Sequence, residues 1–327
     1  MICMKVAIIG TGSIAPVHIR AIKDANEEIV ALCDVVPAKA EKLNSVYGLD
    51  ASIYADYLEM LEKEKLDAVH VCTPHHLHRE MIVRALESNI NVLAEKPICI
   101  NESELENIKS ATKKSNAQLG VCFQNRYLPA NRKLRELLAK EKPLSATTKV
   151  VWRRDEAYYK SAPWRGKWET EGGGVMINQA IHTLDLLLWY CGMPEKIKGA
   201  IANTNLKEII EVETTAEFVM AGKYVASFYA TTASYKNFPI EIEIRTRTNI
   251  YRIIGEDLYV NGNLQELPAA GELYGKPHWG AGHSHLIRDF YSCLREGRTF
   301  PIDVYEAEKS LRVIWALYRS NGQEILI

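Results

Sequence analysis

The sequence predicts an α/β protein of two domains. The first is a doubly wound parallel sheet, and the second is an α+β domain built on a large, open, mainly antiparallel sheet. The chain has 327 residues, which is more than one hydrophobic core usually organises. Its first third alternates β-rich runs with amphipathic stretches, as βαβ units do. Later runs alternate polar and apolar residues, which is typical of half-buried antiparallel strands.

The N-terminal region reads as successive βαβ units. Short apolar runs predict strands, and the stretches between them have helical spacing with Lys and Glu on the outer face. Strands are predicted at 5–9, 29–33, 68–72, 91–94 and 118–123. Helices are predicted at 14–24, 38–47, 54–64, 78–88 and 102–115. These elements place the first domain at residues 1–121.

The pattern changes after residue 121, where the second domain, residues 122–327, begins. A helix at 130–139 precedes long β-rich stretches with alternating polarity. Strands are predicted at 146–153, 213–220, 224–232, 240–246 and 250–254. Further helices are predicted at 175–190, 284–295 and 305–319.

Composition and charge exclude several classes of protein. Hydrophobic residues make up 47% and charged residues 25%, which are ordinary globular values. Forty basic and 41 acidic residues give a net charge of −1, so neither nucleic acid nor an anionic membrane is expected as a partner. Seven scattered cysteines without a CxxC pair suggest a reducing compartment. The apolar run near the N-terminus is too short for a secretory signal, and a cytoplasmic location is expected.

The first predicted strand leads directly into Gly10-Thr11-Gly12-Ser13-Ile14-Ala15, a GxGxxA motif that opens a helix. Gly10 permits the tight turn, Gly12 lets the backbone approach a pyrophosphate, and Ala15 is small enough for close helix packing. The helix N-terminus attracts phosphate. A plain tight turn is the alternative. In this strand-to-helix setting the motif predicts a Rossmann domain whose cofactor contacts Gly10, Thr11, Gly12, Ser13 and Ile14.

Asp34 ends the second predicted strand, about 20 residues after the glycine motif, where an acidic side chain binds the adenosine ribose hydroxyls. Its charge would repel a 2′-phosphate. We therefore expect NAD as the cofactor. NADP is the less favoured alternative, because Lys39 lies near enough to offset some of that repulsion.

Two polar segments follow the next strands, Thr73-Pro74-His75-His76-Leu77-His78 and Glu95-Lys96-Pro97. Open α/β sheets bind ligands at the carboxyl ends of their strands. The cofactor contacts expected here are Thr73, Pro74, His75, His78, Glu95 and Lys96. The three histidines do not complete a tetrahedral ligand set, so no metal is expected. A solvated surface lysine is the alternative interpretation of Lys96.

In the second domain, Gly172-Gly173-Gly174 precedes a helical run that contains Asn178, His182 and Asp185. The glycines permit close approach of a ligand. The i, i+4, i+7 spacing places the three side chains on one face of a helix. His182 can take a hydroxyl proton while a hydride leaves, with Asp185 fixing its tautomer. The alternative is a core histidine satisfied by Asp185.

Together these motifs resemble the glucose-fructose oxidoreductase, inositol dehydrogenase and MocA (Gfo/Idh/MocA) family over nearly the whole chain. The motifs that agree in order are Gly10 to Ala15 with His18, Thr73-Pro74 with His78, Glu95-Lys96-Pro97, and Gly172-Gly173-Gly174 with His182 and Asp185. The resemblance implies that residues 1–121 bind NAD(P). It also implies that residues 122–327 bind substrate and assemble homodimers or homotetramers sheet to sheet.

By the same resemblance the protein is an NAD(P)-dependent dehydrogenase that moves a hydride between nicotinamide and a carbinol carbon of a sugar, cyclitol or nucleotide-sugar. Lys96 and His182 would be the catalytic pair that handles the substrate proton. The implied substrate contacts are Lys96, Arg126, Trp164, Arg165, Asn178 and His182. Many members have Asp at Asn178 and Gly at Ala180. Because an amide cannot accept a proton, His182 would be the only base, and the Asn form resembles the branch of nucleotide-sugar dehydrogenases.

Two other functions stay open at this point. One is a catalytically idle NAD-binding regulator of the same fold, and the other is a dihydrodiol- or biliverdin-type reductase. A histidine-centred helix face disfavours the second, since such a face is most useful when an alkoxide proton must move. The stretch 274–285, with His278, Trp279, His283 and His285, is either a loop that closes over the pocket or an ordinary glycine-rich connection.

Overall fold

The computed structural model describes residues 3–203, 210–274 and 280–327. The chain divides into two compact units, Met1–Gln124 with Ala270–Ala307, and Asn125–Ala269 with Glu308–Ile327. This division differs from a single boundary after residue 121, because a late segment of the chain belongs to the first unit.

The first unit is built on a six-stranded parallel sheet. Its strands are β1 (Lys5–Ile9), β2 (Glu28–Cys33), β3 (Ser52–Tyr54), β4 (Ala68–Val71), β5 (Asn91–Ala94) and β6 (Leu119–Val121). The spatial order is β3-β2-β1-β4-β5-β6, which is the order of the doubly wound Rossmann fold. All four residues of β4 are buried, as expected for a strand covered on both faces.

Five helices connect these strands: α1 (Ala15–Asp24), α2 (Pro37–Tyr47), α3 (Tyr57–Lys63), α4 (His75–Glu87) and α5 (Glu102–Lys114). The helix predicted at 54–64 is shorter, because the Asp56 carboxylate accepts a hydrogen bond from the Leu58 N–H and starts α3 there. Asn101 caps α5 in the same way through the Glu104 N–H. The predicted start of α4 at residue 78 is three residues late.

The second unit contains, among the described residues, a nine-stranded sheet. Its strands are β7 (Ser145–Val151), β8 (Pro194–Ala202), β9 (Glu213–Met220), β10 (Val225–Thr231), β11 (Glu241–Arg245), β12 (Ile250–Ile254), β13 (Asp257–Val260), β14 (Asn263–Leu264) and β15 (Glu324–Leu326). The order is β14-β13-β12-β11-β7-β10-β9-β8-β15. Only the β7–β10 pair is parallel among these neighbours, so the predicted mainly antiparallel sheet is confirmed.

The helical elements of this unit include α6 (Pro129–Leu138), α7 (Glu156–Lys160) and α8 (Ile181–Cys191). A π-helical turn, Met176–Ala180, precedes α8. The single helix predicted at 175–190 is therefore two elements with different backbone windings. π-turns occur frequently at functional sites. No described helix is both long enough and apolar enough to cross a bilayer.

The last two helices are α9 (Gly282–Glu296) and α10 (Val304–Ser320). α9 packs against α1 of the first unit. Phe290 of α9 and Phe300 lie so close to Gly120 of β6 that an added Cβ there would be 2.9 Å from each ring. This packing explains why residues 270–307 belong to the first unit. The boundary between the units falls within α10, after Ala307.

Candidate active site

The turn between β1 and α1 offers unsatisfied backbone donors. Gly10 has φ of +92°, and a Cβ on it would lie 2.8 Å from the carbonyl carbon and oxygen of Cys72. A Cβ on Gly12 would meet nothing within 4 Å. Among the described residues, the N–H groups of Gly12, Ser13 and Ile14 have no hydrogen-bond acceptor. The end of α1 can therefore hold an anionic group such as a pyrophosphate.

Asp34 lies half-buried just after β2 and is organised as an acceptor. Its Oδ2 accepts hydrogen bonds from the Thr11 N–H and hydroxyl, at 3.0 and 2.8 Å, and its Oδ1 accepts one from the Val36 N–H at 3.0 Å. Although partial burial opposes ionisation, these hydrogen bonds and nearby Lys39 lower the pKa of Asp34. The carboxylate is thus charged and fixed. Val35 beside it is 84% exposed, an apolar surface that the sequence analysis did not single out.

His78 links the loops that follow β4 and β5. Its ring nitrogens lie 2.6 Å from the Thr73 carbonyl oxygen and 2.7 Å from the Pro97 carbonyl oxygen. Burial lowers the pKa of His78. Because both ring nitrogens face backbone carbonyl oxygens, His78 can act on a cofactor only by positioning these two loops. His75, the first residue of α4, is buried, and Pro74 precedes it.

Lys96 stands out by its exposure. Across residues 92–99, all of which the structure describes, it is the only residue that is not buried. Its backbone N–H lies 3.3 Å from Glu95 Oε2. The Glu95 side chain points inward, so the two neighbouring residues have opposite roles: Glu95 anchors the segment and Lys96 presents a cation at its surface.

Glu95 is the acceptor at the end of a buried hydrogen-bond chain. Its Oε1 lies 3.0 Å from His18 Nε2 and 3.2 Å from His283 Nε2. His18 Nδ1 lies 2.7 Å from His70 Nδ1, and His70 Nε2 lies 2.7 Å from the Tyr291 hydroxyl. Although burial opposes ionisation, the hydrogen bonds from His18 and His283 hold the pKa of Glu95 well below its usual range. Through these contacts with the two histidines, Glu95 has a structural role.

One assignment of protons satisfies every bond in this chain. Tyr291 donates to His70 Nε2, His70 Nδ1–H donates to His18 Nδ1, and His18 Nε2–H donates to Glu95. Both imidazoles are then neutral, which agrees with burial lowering the pKa of His18 and His70. Ligand atoms of His18, Glu95 and His283 lie within 4.8 Å of one another, close enough for a metal ion. The hydrogen bonds account for this proximity without one.

The second unit shows a matching exposure pattern at the π-turn and α8. Across residues 171–188, all described, only Asn178 and His182 are not buried. His182 and Asp185 lie three residues apart in α8 and share a face. Asn178 lies in the π-turn, whose wider winding changes the angle expected from an i, i+4 spacing. The predicted three-residue α-helical face is therefore correct only for His182 and Asp185.

Asp185 binds a residue that sequence reasoning did not pair with it. Its carboxylate accepts hydrogen bonds from Nε and Nη2 of Arg126, at 2.8 and 2.7 Å, and both side chains are buried. The Arg126 guanidinium also lies 5.4 Å from the centre of the Trp189 ring. Arg126 is thus held in an ion pair with Asp185.

Asn178 is held by groups that the sequence analysis missed. Its amide donates to Glu171 Oε1 and, at 3.3 Å, to the Tyr158 hydroxyl oxygen. Gln179 Nε2 lies 3.0 Å from the same oxygen, and Arg165 also donates to it. Glu171 is fully buried and directly precedes the glycine run, which is the one sequence signal that could have indicated it.

The glycine run is required by protein rather than by ligand. A Cβ on Gly173, with φ of +149°, would overlap the Tyr318 hydroxyl, and one on Gly174 would overlap the Glu211 carbonyl oxygen. The Glu211 carboxylate accepts from the Gly174 N–H at 2.6 Å and from the Tyr318 hydroxyl at 2.7 Å. Burial raises the pKa of Glu211 to about 7. Close internal contacts thus occupy the space beside Gly173 and Gly174, and ligand approach along the glycine run stays a prediction.

Each unit thus groups one class of predicted residue. The predicted cofactor contacts and Lys96 lie in the first unit, and Arg126, Trp164, Arg165, Asn178 and His182 lie in the second. Within the predicted closing loop, His278 and Trp279 lie outside the described residues. His283 and His285 lie in α9, where they bind Glu95 and the Ala270 carbonyl oxygen.

Comparison with known proteins identifies the family. Residues 4–123 match the model described as an oxidoreductase family with an NAD-binding Rossmann fold, and residues 132–256 match the GFO/IDH/MocA C-terminal domain. This chain belongs to the GFO/IDH/MocA oxidoreductase family. The predicted family is confirmed, and the first unit contains an NAD-binding Rossmann fold.

Similar members of this family include D-glucoside 3-dehydrogenase of Escherichia coli K12, which is 29% identical over 238 residues, 71% of this chain and 65% of that protein. Myo-inositol 2-dehydrogenase of Thermotoga maritima is 25% identical over 61% of this chain and 58% of its own length. The chain therefore spans less than two thirds of these relatives. The WlbA dehydrogenase of Bordetella pertussis, solved with NADH and UDP-GlcNAcA, aligns over 100% of this chain and 99% of its own with a TM-score of 0.87 and 25% identity.

Proposed function

We propose that this chain is an NAD-dependent dehydrogenase that transfers a hydride between nicotinamide C4 and a carbinol carbon of a sugar, cyclitol or nucleotide-sugar. The observation that carries the proposal is the exposure pattern of two buried runs. Lys96 is the one residue of 92–99 that is only half-buried, and Asn178 and His182 are the two such residues of 171–188, all of which the structure describes. Polar groups that reach solvent from otherwise buried backbone are available to a ligand. The family and the named relatives support the same chemistry.

NAD fits the residues of the first unit. The free N–H groups at Gly12 to Ile14 suit its pyrophosphate, and the fixed, ionised Asp34 suits a ribose with both hydroxyls. We assign the exposed Val35 to the adenine ring, because it offers an apolar surface directly beside Asp34. We also assign Thr73, Pro74 and His75 to the cofactor, with His78 and Glu95 positioning the two loops. NAD, when bound, accepts the hydride from the carbinol carbon.

The protein residues handle the proton that leaves with that hydride. Oxidation of a secondary alcohol releases one hydride from carbon and one proton from oxygen, so a base must lie beside the hydroxyl. We assign this role to His182, since imidazole changes charge near neutral pH. Lys96 would stabilise the developing alkoxide by its positive charge and bind the nicotinamide ribose.

The remaining substrate contacts are assigned to Asn178, Trp164 and Arg165. Asn178 can present its amide oxygen to a substrate hydroxyl, because its amide nitrogen is directed at Glu171 and Tyr158. Arg126 was predicted as a substrate contact. Since two of its nitrogens bind Asp185, we propose that it positions α8 and thereby His182.

We further propose that the protein works in the cytoplasm as a homodimer or homotetramer. Its seven cysteines are all described and none forms a disulfide, which suits a reducing compartment. The outer face of the nine-stranded sheet includes exposed Thr147 and Lys149, and copies of the chain would pair through this face. Light scattering on the purified protein tests the subunit number.

The experiment is a titration of purified protein with NAD and a panel of glycosides, inositols, sugar acids and nucleotide-sugars, read as absorbance of reduced nicotinamide. We expect one class to reduce NAD, and His182→Ala and Lys96→Ala each to lower kcat at least about 100-fold while NAD binding is largely kept. His285→Ala is the matched control and should keep full activity. NAD binding without turnover of any compound would favour the regulator instead.

A further inference from the structure

Arg165 has no acidic partner among the described residues. Its Cζ lies 4.3 Å from the centre of the Tyr158 ring and 4.6 Å from the centre of the Trp164 ring. One Nη donates to the Tyr158 hydroxyl, and the buried Nε has no hydrogen-bond partner among the described residues. No carboxylate oxygen of the described residues lies within 4.0 Å of Arg165. The ring contacts orient the cation, and no carboxylate of the described residues compensates its charge.

Arg154 repeats this arrangement on the same tyrosine. Its Cζ lies 5.1 Å from the centre of the Tyr158 ring and 5.2 Å from that of Trp152. One Nη donates to the Arg153 carbonyl oxygen at 2.7 Å and to the Asn237 side chain at 3.2 Å. No acidic side chain of the described residues pairs with Arg154 either. It lines a cavity of about 210 Å³, whose wall also includes Asp155, Glu156, Thr232 and Ser234.

Two other arginines of the second unit bind carboxylates. Arg126 binds Asp185 through two hydrogen bonds, and Arg153 lies 3.2 Å from Asp155. Among the described residues, Arg154 and Arg165 lack the kind of carboxylate partner that Arg126 and Arg153 have. The repulsion between the two positively charged guanidiniums must be offset by a ligand or by solvent. A planar guanidinium that is held against an aromatic ring is suited to donating two parallel hydrogen bonds to the oxygens of a carboxylate or a phosphate.

The Tyr158 hydroxyl connects this arginine pair to the proposed substrate site. It accepts hydrogen bonds from Arg165, from Gln179 at 3.0 Å and from Asn178 at 3.3 Å. Asn178 is one of the two half-buried residues of the otherwise buried run 171–188. An anion bound by Arg165 would thus lie one side chain away from a residue assigned to the substrate.

We propose that Arg165 and Arg154, both held on Tyr158, form a subsite for an oxyanion of the substrate, a carboxylate or a phosphate. The proposal deepens the proposed function and rests on it for the oxidation step. It narrows the substrate to an acidic sugar, a sugar phosphate or a nucleotide-sugar, since a neutral glycoside or inositol leaves both guanidiniums unpaired. Trp164 and Tyr158 supply the fixed geometry, and the two cations supply the binding energy.

The test compares a neutral sugar with related sugars that carry a carboxylate or a phosphate. Glucose, glucuronate and glucose 6-phosphate, with UDP-glucose as a fourth probe, are assayed for kcat/KM with NAD and for binding by calorimetry. We expect at least one anionic probe to exceed glucose by about 100-fold in kcat/KM. Whether glucuronate or the phosphates show this gain distinguishes a carboxylate from a phosphate as the natural oxyanion.

Variants separate a binding role from a structural one. Arg165→Gln should lower kcat/KM for the preferred anion about 100-fold and that for glucose by less than about threefold, mainly through KM. Arg165→Lys should recover part of the loss, because the charge returns without the planar fork. Arg154→Gln should cost about tenfold for the anion. Arg245→Gln, whose guanidinium already has Glu243, is the matched control and should change neither value more than about twofold.

Each outcome supports or overturns one proposal. Equal kcat/KM for neutral and anionic probes, or an equal loss for both in Arg165→Gln, would overturn the subsite while leaving the dehydrogenase function in place. Binding of an anionic probe that weakens in both Arg165→Gln and Arg154→Gln supports the subsite. If the same probes show no turnover with NAD, the dehydrogenase function is overturned instead.

Discussion

Arg126 and Asp185 form a buried ion pair with two hydrogen bonds, of 2.7 and 2.8 Å, and Asp185 lies in the helix that carries His182. Removing the partner of a buried charge destabilises the folded protein far more than removing the partner of an exposed charge. The remaining buried charge is then neither paired nor solvated. Asp185→Asn or Arg126→Met should each lower the free energy of unfolding by about 3–5 kcal/mol.

Urea denaturation of the variants measures this effect. Glu59→Gln breaks an exposed pair with Lys63 and is the control, with an expected loss below about 1 kcal/mol. A loss this small in Asp185→Asn would show that the pair contributes little and that α8 is held in another way.

Glu211 makes the second unit sensitive to pH. Burial raises its pKa to about 7, above the usual value of 4.5, so ionising it in the folded protein is unfavourable. Its contribution to stability is therefore complete below pH 4.5 and is lost as pH rises through 7. The shift corresponds to about 3 kcal/mol. Glu211→Gln cannot ionise, so its stability relative to wild type should rise by about this amount between pH 4.5 and 8.

Denaturation curves at several pH values give this difference directly. Glu324→Gln, at an exposed pair with Lys196, should follow the wild-type curve. Parallel pH profiles for Glu211→Gln and wild type would mean that Glu211 ionises normally in the folded chain.

The parts of the site that the sequence could predict are those that short local motifs determine. The turn from β1 into α1 and the acidic residue after β2 follow from short motifs, because glycine and small-residue positions there are fixed by the backbone. Asp34 was found in this way, and its bonds to Thr11 agree with a local arrangement. The two sheets were likewise predicted from the hydrophobicity pattern. Short apolar runs indicated the parallel strands, and alternation of polar and apolar residues indicated the antiparallel strands.

Other parts depend on contacts between distant segments. Glu211 is 37 residues from Gly174, and Tyr318 is 107 residues from Glu211, so no motif joins them. The glycine run therefore looked like a ligand loop. The π-turn was not predictable either, since hydrophobic spacing does not distinguish one widened turn within a helix. The hydrogen-bond chain from Tyr291 to Glu95 includes one bond, between Tyr291 and His70, that joins segments more than 200 residues apart in the sequence.

Tyr291 tests the buried chain of histidines. Tyr291→Phe removes the O–H that donates to His70 Nε2 and leaves that nitrogen buried without a partner. We expect a loss of about 1–2 kcal/mol in the free energy of unfolding. Tyr235 is 74% exposed, so Tyr235→Phe should stay within about 0.5 kcal/mol of wild type.

Nitrogen-15 NMR of the same proteins reports the tautomers. Wild-type His18 should carry its proton on Nε2 and His70 on Nδ1, with both rings neutral. Burial lowers the pKa of both rings, so their stabilising effect is present above pH 6.5 and is lost as pH falls through the folded value. Protonated rings at pH 6.5 would refute this arrangement.

Asn178 donates to Glu171, so an acidic residue there should be unfavourable. Asn178→Asp places two carboxylates side by side and raises the pKa of the pair. The resulting loss of stability, about 2 kcal/mol, should be small at pH 5 and grow as pH rises to 8. Adding Glu171→Gln lets an amide donate in the opposite direction and should restore stability. Thermal unfolding at both pH values compares the three variants, and a pH-independent loss would contradict the explanation.

The most direct test of the dehydrogenase function follows the hydrogen itself. Substrate from the panel, deuterated at the oxidised carbinol carbon, is incubated with NAD and protein, and the reduced nicotinamide is analysed by NMR. Our account predicts deuterium at nicotinamide C4 with wild type and little with His182→Ala. Reduced nicotinamide that carries no deuterium, or label lost to solvent, would contradict direct hydride transfer from the carbinol carbon.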